Sequence, residues 1–318
     1  MNYLVSRLLR QFVPVVFIAS IVIFGLMELL PGDPAVVILG ETATPESVQA
    51  LREEMGLNKP LPERYVDWLG DTATGDLGRS TTGKTVTDLL GASLPPTLEL
   101  AFFAFTFGNL FGVALGVLAG INRGGPIDIL VGTLTSLLIA VPSFVAGLLM
   151  LLVFSVWLGW FPSAGRVPLF SDPGDSLLHL ALPAIALGGI ITAVISRFTR
   201  QSIVDTLTND YIRTARAKGL SPGVVILRHA LKPSMMPVVT VMGLQLGGLI
   251  GGTIVVEQVF TWPGMGRLLV NSVNSRDYPT IQAITLLLVT SYLVFNLLTD
   301  LAYGWLDPRV RLGRGVGV

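Results

Sequence analysis

Apolar residues in this 318-residue chain gather into long runs; they do not recur with the spacing of an amphipathic helix or the alternation of a half-buried strand. Six runs approach or exceed the roughly 20 residues a helix needs to cross a hydrocarbon core of about 30 Å. They are Phe12 to Leu30, Thr97 to Ile121, Ile127 to Leu158, Leu177 to Ser196, Ser234 to Val256 and Ile281 to Ala302. The third is too long for one straight crossing and too short for two with a turn, so Pro142 is expected to kink it and its ends to lie in the interfaces. The first is followed by Pro31-Gly-Asp-Pro34 where a signal peptide would carry a small-residue cleavage site, and it reads as a span. The pattern predicts an all-α integral membrane protein with six transmembrane helices.

The segments between the runs divide the chain. Residues 1–30 hold the N-terminus and the first span, 31–96 a small extracytoplasmic region, 97–302 the remaining spans and 303–318 a tail. Within 31–96, Thr44-Pro-Glu46 reads as a helix start running to Gly56, and a second short helix is expected from Pro62 to Leu69. Charge orients the whole. The N-terminus, 122–126, 197–233 and the tail together carry 13 basic residues and three acids, which predicts that these segments and both termini are cytoplasmic.

Composition agrees with a membrane solvent: 51% of residues are hydrophobic, 13% charged, and the mean hydropathy is +0.69, against about a quarter charged in soluble domains. Basic and acidic residues balance at 21 each, so no basic field invites nucleic acid. The absence of cysteine excludes disulfides, thiolate metal sites and a cysteine nucleophile. The two histidines, His179 and His229, fall in segments too far apart in topology to chelate one ion, and no metal site is expected.

One motif points elsewhere. Gly78-Arg-Ser-Thr-Thr-Gly83-Lys84-Thr85 matches the phosphate-loop pattern letter for letter. The preceding Asp71-Thr-Ala-Thr-Gly-Asp76 is turn sequence where that loop needs a buried strand, the following helix is expected to stop near Gly91, and the segment is extracytoplasmic. An ATP site is not expected there.

The connection 197–233 is helical by its punctuation. Asn209 or Asp210 caps a helix running to Lys218, Gly219 fits the position after its end, and Ser221-Pro222 starts another. Ile212, Ala215 and Gly219 share a face suited to close docking, while Arg213, Arg216 and Lys218 supply charge. On physics alone an interfacial helix meeting anionic lipid is also consistent.

Asp210-Tyr-Ile-Arg-Thr-Ala-Arg-Ala-Lys-Gly-Leu220 resembles the coupling loop of type I ATP-binding-cassette (ABC) importer permeases, with Thr214, Ala215 and Gly219 in the small-residue and glycine positions. Arg213 stands where the general motif has an acid, a form similar to the dipeptide and oligopeptide (peptide/nickel-type) branch. Tyr3-Leu-Val-Ser-Arg-Leu-Leu-Arg10, Leu30-Pro-Gly-Asp-Pro34, Gly75-Asp-Leu-Gly78, Ser93-Leu-Pro-Pro-Thr97, Arg228-His-Ala-Leu231 and Trp262-Pro-Gly-Met-Gly266 also look like landmarks of that branch, so the resemblance covers nearly the whole chain.

The resemblance implies a type I importer permease core and one transport subunit without an ATP site of its own. Its partners would be a second homologous permease, two cytoplasmic ATPases that use ATP and Mg2+, and an extracytoplasmic solute-binding protein. This chain itself would bind no cofactor. Tyr211, Ile212, Arg213, Thr214, Ala215, Arg216, Ala217, Lys218, Gly219 and Leu220 are then expected to contact an ATPase, and Glu257 and Trp262 to face the binding protein. Di- or oligopeptides are the implied substrate, with nickel, glutathione or another small solute as alternatives. A self-contained channel or secondary transporter is the competing class.

Intramembrane polar and small residues suggest a path. Glu28, Glu99, Glu257 and Asp300 lie in or at the ends of spans, where ionised groups must face protein or water. Glu99, Asn109, Gln245, Gly247, Gly251 and Asn296 are the candidates to line the path. The row Gly243, Gly247, Gly251 fits either tight helix packing or a pore-side helix that slides.

Overall fold

A computed structural model describes residues 10, 12–29, 34–40, 43–54 and 56–306. The Tyr3–Leu9 landmark, the Pro31-Gly-Asp33 exit, Met55 and the tail 307–318 lie outside the described residues, as does the side chain of Asp300. The chain divides into two compact units. The first takes in Met1–Pro96 and Pro263–Leu293, the second Thr97–Trp262 and Val294–Val318. The separate outer region expected over 31–96 thus belongs to a unit that also includes 263–293.

All regular structure among the described residues is helical. In chain order the helices are α1 Val13–Leu29, α2 Pro34–Leu39, α3 Pro45–Glu54, α4 Leu61–Thr74, α5 Val86–Ile121, α6 Pro126–Ala140, α7 Ser143–Met150, α8 Pro173–Leu207, α9 Asp210–Ala217, α10 Leu231–Val259, α11 Met265–Asn274 and α12 Tyr278–Leu306. Four are long and apolar enough to cross a membrane, or five when the bent pair α6 and α7 counts as one span. The 17-residue α1 covers the remaining predicted run and is about 25 Å long. Each of the six apolar runs therefore corresponds to a helix or, once, to a helix pair.

That pair corrects the expectation of a kink. The chain turns by 104° between Ala140 and Ser143, with Val141 extended at φ −91° and ψ 120° and Pro142 preceding α7. Proline lacks an N–H and pushes the residue before it out of the helical region, so two consecutive residues leave the helix and the span breaks. Beyond α7 the backbone loosens into a π-helical stretch, Leu151–Trp157.

In the first unit, α3 begins with reciprocal bonds, the Ser47 amide to Thr44 Oγ1 and the Thr44 amide to Ser47 Oγ. α4 runs past the expected end at Leu69 to Gly75, which adopts φ +90°. α4 lies on α1: Tyr65 and Trp68 meet Phe24, Ser20 and Tyr65 share a hydroxyl bond of 2.8 Å, and Arg64 grips Glu28 with both nitrogens at 2.6 and 2.9 Å. Lys59, just before α4, has its pKa raised by a hydrogen bond to Asp67 and by that carboxylate's charge. The unit's core joins Val86 and Leu90 of α5 to Met265 of α11 and to Ala283 and Ile284 of α12.

α8 is the axis of the second unit. Asp172 caps it by accepting the Asp175 amide, and Pro173 occupies its first turn. α6, α7 and α10 all pack on it. α5 meets it through Gly108, Gly112, Gly116 and Gly120, four glycines spaced by four, which face Ile191, Ile195, Thr199 and Ile203 of α8, spaced likewise. Gly188 of α8 reciprocates against the Ala104 carbonyl. Glycines leave the two backbones close enough for van der Waals contact, the attraction that remains between helices in lipid. A Cβ at Gly116 would stand 2.5 Å from Thr199 Cβ and 2.6 Å from the Ser196 carbonyl oxygen. Gly116→Ala is expected to cost about 1–3 kcal/mol by forcing the helices apart, read as a lower thermal unfolding midpoint of the detergent-solubilised protein.

Candidate coupling and translocation site

α9 is a short helix with two unlike faces. Ile212 and Ala215 are buried against Val225 and Ala230, with Leu207 at the edge, and Tyr211, Arg213, Thr214, Arg216, Ala217, Lys218, Gly219 and Leu220 are exposed. The face expected to dock on another protein is therefore the one that anchors α9 to its own chain, because Val225 and Ala230 follow closely enough to cover it. The free face is the one carrying Tyr211, Thr214 and Lys218 with the flanking arginines. Both ends are set by local chemistry. Asn209 is extended before the first turn, and Gly219 at φ +79° donates its amide to Arg216 while Leu220 donates to Ala215. This glycine-terminated geometry closes the orphan carbonyls and requires a left-handed residue. Pro222 then opens a turn that passes through the π-helical segment Val225–Ala230 into α10. Near that junction, Ser202 donates to the Ser234 carbonyl at 2.8 Å and Ser234 donates to Thr206 at 2.8 Å, tying α10 to α8.

A cavity of about 580 Å³ lies where the broken span meets α8 and α10. Pro142, Met150, Ile190, Gln245, Gly248 and Gly252 are among its walls, and no ionisable residue lines it. Of the expected path residues only Gln245 lines this cavity. Gly247 is buried and Gly251 exposed, and the adjacent Gly248 and Gly252 take the place expected of them. Gly243 belongs to a helix contact: it packs on Thr299 of α12, whose hydroxyl donates to its carbonyl at 3.0 Å. Asn109 is buried on α5 with its amide on the Phe105 carbonyl, and Asn296 is half-buried on α12. Glu99 is held by Arg166 at 2.5–2.6 Å, so its charge is met from within the chain.

Glu257 and Trp262 correct a second expectation. Both are 0% exposed, so neither faces a binding protein. The Thr97 hydroxyl donates to Glu257 Oε1 at 2.6 Å, and the Trp262 amide closes the end of α10 on the Glu257 carbonyl at 2.8 Å. Between them Thr261 takes φ +54°, a left-handed position that a β-branched residue occupies only under strain. The resemblance implied an outward position for these residues; packing of α10 on α8 and α5 encloses them.

The phosphate-loop match is a tight hairpin. Ser80 donates its amide to Lys84, Gly83 donates to Ser80 and Val86 donates to Gly78, so those amides are turned inward on their own loop. Ser80 Oγ donates to Asp277, a buried carboxylate also held by Thr280. The helix after it does not stop at Gly91 but runs to Ile121. Committed amides and a carboxylate under the loop oppose an anion there.

Helices apolar enough to span a membrane and a cavity among them without ionisable lining fit a membrane transport subunit. The sequence profile described as "Binding-protein-dependent transport system inner membrane component" matches residues 112–312, and its N-terminal companion matches residues 1–101. The chain belongs to this family: it is a multi-pass inner membrane permease of an ABC importer of the peptide/nickel type, and ATP hydrolysis is carried by separate subunits. It is 43% identical over 312 residues to the glutathione transport system permease protein GsiC of Escherichia coli O6:H1, covering 98% of this chain and 99% of that one. Identity to the GsiC of Pectobacterium atrosepticum is 42% with the same coverage. Among solved structures, the methionine ABC transporter MetNI in an inward-facing conformation superposes with a TM-score of 0.57 at 18% identity, over 69% of this chain and 96% of that one. An amino acid ABC transporter with histidines gives 0.53 at 18%, over 68% and 93%. These two share the fold.

Thr97→Val leaves buried Glu257 without one donor, and is expected to cost about 1.5–3 kcal/mol, as for hydrogen bonds to charged groups. Thermal unfolding in detergent reads the loss, and Thr97→Ser restores the wild-type midpoint.

Proposed function

We propose that this chain is one of two permease subunits of an ATP-driven importer for glutathione and similar short peptides. The observation that carries the substrate class is the 43% identity, across 98% of the chain, to permeases named for glutathione transport. Glutathione is the alternative set beside di- and oligopeptides in the sequence reading, and the relatives' names favour that alternative. In the proposed assembly a second homologous permease completes the path, two ATPases bind ATP and Mg2+ on the cytoplasmic side, and an extracytoplasmic binding protein delivers substrate. The termini and α9 face the cytoplasm, in keeping with the excess of lysine and arginine in those segments.

The free face of α9 seats on an ATPase. Ile212 and Ala215 bind it to the segment leading into α10, so displacement by the ATPase reaches α8 and α10 together, the two helices that wall the cavity with Gln245. The uncharged cavity lets a short peptide pass without a charged site to hold it, which leaves selection to the binding protein.

Reconstituted with its partner subunits and binding protein, the importer is expected to accumulate labelled glutathione only when ATP is supplied on the ATPase side. Uptake that persists without ATP would sink the importer reading, and ATP-driven uptake of dipeptides but not glutathione would sink the substrate assignment. Tyr211→Ala truncates an exposed aromatic on the docking face, and is expected to weaken ATPase retention by about 2 kcal/mol or more. Co-purification of the ATPases with the permease checks this.

A further inference from the structure

A polar site lies between α6 and the C-terminal half of α8, in a cleft of about 310 Å³. Asp128, Ser136, Ser196, Arg197 and Arg200 are in its walls, with Gly132 between the helices. Charge in the cleft is not balanced. Arg200 grips Asp128 with Nε at 2.5 Å and Nη2 at 2.8 Å, and the Gly124 amide donates to the same carboxylate at 2.9 Å, so that acid is fully engaged. Arg197 has no carboxylate partner among the described residues; one of its nitrogens donates to Ser136 Oγ at 2.9 Å. In the same wall the Ser196 hydroxyl is buried and has no hydrogen-bond partner among the described residues.

The surroundings of Arg197 say what it meets. Phe198, Ile129 and Leu130 nearby are 50%, 66% and 69% exposed, on helices apolar enough to cross a membrane. Arg197 is exposed at a span boundary, where a guanidinium reaches the headgroup layer, and it donates to phosphate through a planar fork. Gly132 has open space where a side chain would stand, which leaves room in the cleft.

We propose that this cleft binds the phosphate headgroup of an anionic phospholipid, in the leaflet on the side of α9. Arg197 with Ser136 holds the phosphate, the Arg200–Asp128 pair braces the adjoining wall, and the acyl chains lie along Ile129, Leu130 and Phe198. The apolar rim favours a lipid over a free anion. The site is separate from the docking face of α9 and from the cavity at Gln245. It rests on the membrane-spanning reading alone, so its failure leaves the import function standing.

Native mass spectrometry of the intact, delipidated importer tests the site, with phosphatidylglycerol, phosphatidylcholine and inorganic phosphate each titrated. Saturable retention of phosphatidylglycerol is expected, weakened about five- to tenfold by Arg197→Gln, the scale of one charged contact at a membrane surface. Gly132→Leu, which fills the cleft and leaves every charge in place, is expected to give a similar loss. Equal retention of phosphatidylglycerol by both variants, equal affinity for phosphatidylcholine, or displacement of phosphatidylglycerol by millimolar inorganic phosphate overturns the proposal.

Discussion

Lipid removes the hydrophobic drive that holds helices together in water, so α5 and α8 must adhere through contact itself. Four glycines at four-residue spacing give them that contact by removing the side chains of α5 along the seam, so that Ile191, Ile195, Thr199 and Ile203 of α8 rest on its backbone. The rest of the second unit is arranged on the axis so formed. α10 and the broken span pack on other faces of α8, and the buried core at Leu100, Ala104, Ile191 and Ile195 follows the same seam. Because the seam runs along α8 toward Ile203, it also fixes the helix that leads into α9.

Charge inside this frame is paired by residues from different elements. Glu99 is met by Arg166, Asp128 by Arg200 and, in the first unit, Glu28 by Arg64. Each pair joins segments distant in sequence, so the polar residues serve as cross-links where apolar contact alone gives little directional preference. No ionisable residue lines the cavity, which suits a conduit more than a receptor.

The spans were legible because twenty apolar residues in a row have few other uses, and the ends of α9 were legible because asparagine, glycine and proline act within one turn. Facing was harder to read. Ile212 and Ala215 looked like a docking surface because small and apolar residues suit any close contact, and only the position of Val225 and Ala230 shows that the contact is internal. Glycine spacing had the same ambiguity. The row at Gly243, Gly247 and Gly251 drew notice in an apolar run, while the row on α5 that holds the second unit together has the identical spacing. A period of four marks a groove, and the sequence does not say what fills it. Glu257 and Trp262 show that distance from the end of an apolar run measures depth along a helix and says nothing about enclosure by other helices.

The stops at the two ends of α9 set its length, and length in a helix is also angle. Each added residue turns the following side chains by about 100°. With Ile212 and Ala215 held in their bed and Gly219 held in its left-handed position, a single insertion or deletion between them would bring the anchor and the closing glycine into conflict. Substitutions on the free face leave that frame intact. This segment can therefore diverge in what it recognises, while its residue count is constrained as tightly as the tooth spacing of a gear.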